Sequence, residues 1–253
     1  MIMANSCRHY QGGSCLEIHR EDLTGVLKVA TQRGCDFADV FIEEASVAQI
    51  YCEQDRIERV TAGTDAGAGI RVIVGEATAY AYTNGLSLEG LKEAARTAAA
   101  AARGGNSSVV IDLCRTKPSF ELPILVGPET VSIADKAAVV KRVNETARKA
   151  DNRVRQVTVS YRDATQKITI ANSEGVWVTD ERIRTNLSMN VIAMEGGKIQ
   201  TGFESLGGVM GFELFQLNDP EELALRAAGR AIRMLGARPA PAGRMPVVMA
   251  GEA

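Results

Sequence analysis

The chain is 253 residues long, enough for one or two domains that bury a core without disulfide or metal staples. Apolar residues make up 45% and charged residues 24%, ordinary values that exclude a disordered or fibrous chain. With 29 Lys plus Arg against 31 Asp plus Glu and only 5% aromatics, neither charge nor stacking surface points to nucleic acid or an anionic membrane. Residues 1–21 read as a loose tail. Met1 to Gly13 holds Cys, Arg, His and Gln where a signal peptide needs an apolar segment, and no stretch reaches the roughly 18 apolar residues of a membrane span. A cytoplasmic location is expected. Five cysteines at irregular spacing (Cys7, Cys15, Cys35, Cys52, Cys114) are an odd number and fit reduced, small apolar fillers better than a secreted disulfide framework.

From Asp22 to Arg33, Leu23, Val26, Leu27 and Ala30 recur at helical spacing, and Gly34 can close the helix. From Phe37 to Ala81 the period becomes two, and turn signals at Gln54-Asp55, Gly63-Thr64-Asp65 and Gly75-Glu76 divide the stretch into about four hairpin-connected strands. Ser87 caps a second helix that ends at Gly104-Gly105. The first domain is therefore expected over residues 22–105. Residues 106–130, with Pro118, Pro123 and Pro128, read as a linker. Ser132 and Asp135 open a third helix that runs to about Ala150. Strands are expected over 154–161, 167–171, 176–178, 183–193 and 198–202, with turns at Asn172 to Gly175 and Glu195 to Gly197. Asp219, Pro220 and Glu222 start a last helix closed by Gly236. The second domain spans 131–236. Residues 237–253 form a connector followed by a β-type run, Met245 to Ala250. The fold class is α+β, two units of helix, antiparallel strands and helix.

Nucleophilic catalysis with an imidazole base has only His9 and His19 to draw on, both in the tail. Cys7, His9, Cys15 and His19 are donors of the right type for zinc, but their spacing matches no usual zinc pattern and a loose tail is the stronger reading. Gly63, Gly67 and Gly69 suggest a phosphate loop, yet they lead into a strand without Gly-Lys-Ser/Thr, so hairpin geometry or a close strand approach fits better. Arg226, Arg230 and Arg233 line one side of the last helix and read as a solvated face that an acidic partner could meet. Glu43-Glu44 fits an exposed strand and Glu221-Glu222 a helix first turn. No catalytic, cofactor-binding or metal-binding residue is assigned.

The stretch Gly67 to Glu76, with Ala79 to Leu88, resembles the amino-terminal domain of the TldD/PmbA proteins, once called modulators of DNA gyrase and now viewed as metallopeptidases. Ile170 to Trp177, Arg182 to Val191 and Gly202 to Phe212 look like that family's middle region, and Ala240 to Met249 like the lead-in to its catalytic domain. The affinity is closer to the TldD branch. The resemblance implies a zinc motif, His-Glu-x-x-x-His with a later cysteine, that should begin past residue 253; no His follows His19, and Cys114 does not match that ligand. The expectation is a truncated, amino-terminal, non-catalytic half, inactive alone. It would form substrate channel and dimer surface in a peptidase acting on unfolded or small peptides, paired with a TldD/PmbA-type subunit, with zinc only in the full-length protein. The alternative is a stand-alone assembly module that pairs with such a subunit and performs no chemistry.

Overall fold

Ser87, Ser132 and Asp219 start their helices by the mechanism their side chains suggest, each accepting a backbone N–H of the first turn: Gly90 at 3.2 Å, Asp135 at 3.1 Å and Glu221 at 2.9 Å. In the computed structural model, which describes residues 18–102, 111–116, 122–239, 241–249 and 251, the helices are α1 (Arg20–Thr31), α2 (Leu88–Ala101), α3 (Ile133–Lys149), α4 (Leu214–Leu217) and α5 (Pro220–Leu235). The strands are β1 (Phe37–Glu53), β2 (Arg56–Val74), β3 (Ala77–Thr83), β4 (Cys114–Thr116), β5 (Val154–Asn172), β6 (Val176–Glu195) and β7 (Lys198–Gly208). The protein is α+β.

The strands form one sheet in the order β3-β2-β1-β5-β6-β4, with β7 also paired to β6. Gln156 donates to Glu53 and Gln166 to Glu43, each at 2.6 Å, so β5 runs antiparallel to β1. Only the three-residue β4 pairs in parallel, with β6. Gln54 and Asp55 both take positive φ (48° and 66°), the twist that a two-residue hairpin turn requires.

Three expectations need correction. Gly63-Thr64-Asp65 is no turn but the middle of β2, and the pieces 154–161 and 167–171, like 176–178 and 183–193, are single strands β5 and β6. Backbone pairing continues there although the apolar alternation lapses. Met245 to Met249 is not a strand, since a strand needs a partner and none pairs with it among the described residues; Ala250 lies outside them. Apart from these, the described residues of the linker segment 106–130 hold β4 and a 3₁₀ turn at Pro128–Thr130.

Two compact units divide the chain, and both are discontinuous in sequence. The first takes in the described residues of 1–46, 64–121 and 166–182. Here α1 and α2 pack together through Leu23, Val26, Leu27, Leu91, Ala95 and Ala98, against Val40, Ile42, Ile70 and Val72 of the sheet. The second takes in the described residues of 47–63, 122–165 and 183–253. Its core joins Val139, Val140 and Val143 of α3 and Leu223, Ala227 and Ala231 of α5 to Ile50, Val157, Val159, Leu187 and Val191.

Candidate functional site

Alternation along β1 buries Val40 and Ile42 and turns Phe37, Asp39, Phe41 and Glu43 to the other face of the first unit's sheet. On β2 the same logic buries Ala68, Ile70 and Val72 and leaves Gly67, Gly69 and Arg71 facing the other way. The Arg71 guanidinium pairs with the Asp39 carboxylate and lies 5.8 Å from the Phe37 ring centroid. Beyond this pair is an open groove of about 370 Å³ lined by Phe41, Glu43, Asp65, Gly67, Tyr80 and Tyr82 among others. Both tyrosines are exposed, and Glu43 accepts a hydrogen bond from Gln166.

In the second unit a charged pair lies within the core. Lys136 Nζ is 2.6 Å from Asp163 Oδ2, both side chains are almost fully buried, and the Tyr161 hydroxyl donates to the same oxygen at 2.5 Å. Burial, and then the hydrogen bond to Asp163, push the Tyr161 phenol far above its usual range. Phe212 and Phe215 pack around the Tyr161 ring. Nearby Glu213 is buried as well; burial acts to raise its pKa, but hydrogen bonds from the backbone N–H groups of Gly211 and Val126, both 2.9 Å, outweigh it and hold the carboxyl below its ordinary range.

The residues weighed from sequence find ordinary places. Arg226 and Arg230 meet an acidic partner within their own unit, Glu204 of β7, at 3.8 and 2.6 Å. Glu221 accepts from Thr146, and Glu222 pairs with Arg226. Gly63, Gly67 and Gly69 are strand residues without positive φ and open no helix. Cys7, His9 and Cys15 lie outside the described residues, and His19 precedes the first residue of α1. The groove tyrosines and the buried Lys136 and Asp163 went unremarked in the sequence.

The profile described as PmbA/TldA metallopeptidase domain 1 matches residues 38–102, and that of the PmbA/TldA metallopeptidase central domain matches residues 127–235. The chain belongs to the TldD/PmbA family. It is 30% identical over 241 residues to a metalloprotease of Methanothermobacter thermautotrophicus, covering 92% of this chain and 50% of that one. It is 27% identical to a metalloprotease TldD homolog of Haemophilus influenzae, covering 90% and 49%. The fold is shared with TldE from Thermococcus kodakarensis at TM-score 0.68 and 16% identity, covering 83% of this chain and 47% of that one. A solved Thermotoga maritima protein gives TM-score 0.71 at 22% identity. The chain spans about half the length of the curated relatives it matches.

A metal is implied by the TldD/PmbA family's metallopeptidase description, and the described residues do not fit one. His19 is their one imidazole. Cys35 and Cys52 are buried in the cores of different units, where burial foremost pushes both thiols up and keeps them protonated, the wrong state for a ligand. Cys114 is exposed on β4. No group of three or more His, Cys, Asp or Glu among the described residues is placed to hold a metal ion. No described helix is long and apolar enough to cross a membrane.

Proposed function

We propose that this chain is the amino-terminal, non-catalytic part of a TldD-type zinc metallopeptidase, contributing substrate channel and dimer surface to an enzyme that cleaves unfolded or small peptides in the cytoplasm. The observation that carries the reading is the order of the matches: domain 1, then the central domain, over about half the length of the relatives. In sequence terms the proposed division is 22–105, a linker of 106–130, and 131–236, with 237–253 leading toward the catalytic portion. The chemistry of the reading is division of labour. A zinc ion in the complete enzyme would supply Lewis-acid chemistry from residues other than the described ones; the described residues hold the sheet and the helices packed on it, and take no chemical step.

The test mixes the purified chain with a TldD/PmbA-type subunit that carries His-Glu-x-x-x-His. Expected are a stable complex by light scattering, less than stoichiometric zinc in the isolated chain, and no peptide cleavage without the partner. One tight zinc per chain, lost on changing Cys7 or His9 and accompanied by cleavage from the chain alone, would overturn the proposal.

A further inference from the structure

The uncovered sheet face of the first unit carries one combination of groups twice, once complete and once lacking its cation. In the complete instance, Phe37 and Asp39 of β1 hold Arg71 of β2: Asp39 Oδ1 accepts from the guanidinium Nε at 3.2 Å, and the ring lies beside it. Four residues further along β1 the order repeats as Phe41 and Glu43. The two-residue turn at Gln54-Asp55 makes β1 and β2 antiparallel neighbours, so this second ring and carboxylate meet the part of β2 that precedes Arg71. There the face positions are Gly69, Gly67 and Asp65. Among the described residues Glu43 accepts only from Gln166, and the Asp65 carboxylate has no hydrogen bond or ion pair. No lysine or arginine lines the groove. Its wall is Tyr80 and Tyr82, which are 63% and 76% exposed.

We infer that this groove takes an arginine side chain presented by another polypeptide. A guanidinium is planar, binds carboxylates through a fork of N–H donors and stacks on aromatic faces, which is the use the protein already makes of Arg71. The charge is complementary: two carboxylates without a cation, beside rings without a cation. A polypeptide is the source because the groove is open and larger than a guanidinium; the two tyrosine rings cover the aliphatic stem and adjacent backbone. This inference is independent of the peptidase reading.

The test is an NMR titration of the Tyr80 and Tyr82 ring signals with the capped peptide Ala-Ala-Arg-Ala-Ala. Saturable shifts at both rings are expected, with the citrulline analogue at least about tenfold weaker for loss of the charge-assisted bonds. The double variant Glu43→Gln, Asp65→Asn should lose a similar factor at unchanged melting temperature, whereas Glu76→Gln, at the β2–β3 turn, should bind normally. Gly67→Arg supplies a guanidinium from within the chain and should abolish binding; a Cβ at Gly67 meets only Asn84 Oδ1 at 3.3 Å and Thr83 O at 3.4 Å. Equal affinity for the citrulline peptide, or an unaffected double variant, overturns the inference. Agmatine binding as tightly as the peptide overturns its polypeptide part.

Discussion

Lys136 occupies a helical position in register with Val139, Val140, Val143 and Ala147, and Asp163 a strand position in register with Val157, Val159 and Tyr161. Both periodicities place a charge inside, and together they make a buried pair the only tolerable arrangement. Removing one partner leaves the other desolvated: Lys136→Met should cost about 3–5 kcal/mol in urea unfolding, whereas Lys136→Met with Asp163→Leu should recover most of that loss. A double variant no more stable than the single one would show that the pair is not the source of the effect. The sequence reading passed over this pair: Lys136 continues the apolar stripe of α3 and Asp163 the buried alternation of β5, but a single charge on such a stripe does not say which residue of a distant element will meet it. The groove was no more legible. Phe37-x-Asp39-x-Phe41-x-Glu43 is visible as a repeat, but its missing cation becomes evident only when β2 brings glycines beside the second copy.

At the level of elements, the caps and most turns were legible because each depends on local chemistry: Ser87, Ser132 and Asp219 start helices, and Gly75, Gly175, Gly196 and Gly197 take positive φ at the turns, whereas Gly63-Thr64-Asp65 has turn residues but stays within β2. Strand lengths were not. Where β2, β5 and β6 cross from one compact unit to the other, near residues 63, 165 and 182, their sequences turn polar or glycine-rich, and the apolar alternation that marks a strand disappears while the ladder continues. Glycines in strands also differ in ways that sequence does not rank. A Cβ on Gly202 of β7 would lie 2.0 Å from the Ala227 carbonyl oxygen and 2.8 Å from the Ala231 nitrogen, both rigid backbone of α5. A Cβ on Gly69 would instead meet the far end of the exposed Tyr80 ring, which can swing away. Gly202→Ala should therefore cost about 3 kcal/mol through overpacking, and Gly69→Ala less than about 1 kcal/mol. The expectation from sequence that Gly69 approaches another strand closely is replaced by contact with a side chain. Equal thermal shifts in the two variants would contradict the contrast.

For the whole molecule, shifted groups define a pH window of stability. Asp151 is lowered to about 2, chiefly by the side-chain hydrogen bonds from Arg153, and Glu213 is held below its ordinary range by backbone N–H groups. Both are depressed in the folded state, so their contribution is present above the unfolded carboxylate range near 4 and is lost as pH falls toward 2. Cys35, Cys52 and Tyr161 are raised by burial, so their contribution is full below the unfolded thiol range near 8.5 and fades above it as the unfolded chain ionises. The melting temperature should be flat from about pH 5 to 8 and fall on both sides; Glu213→Gln should make the acid limb shallower. An acid limb unchanged in that variant would assign the loss to other carboxylates. The interleaved path of the chain also bears on its synthesis. The hairpin portion 47–63 belongs to the second unit, yet it is made long before β5, β6 and α5, whose Val157, Leu187 and Leu223 share a core with its Ile50 and Cys52. That unit cannot close until α5 has left the ribosome, so vectorial synthesis keeps this hairpin waiting with an unsatisfied apolar face, a non-local closure of the kind that folds slowly and invites chaperone capture.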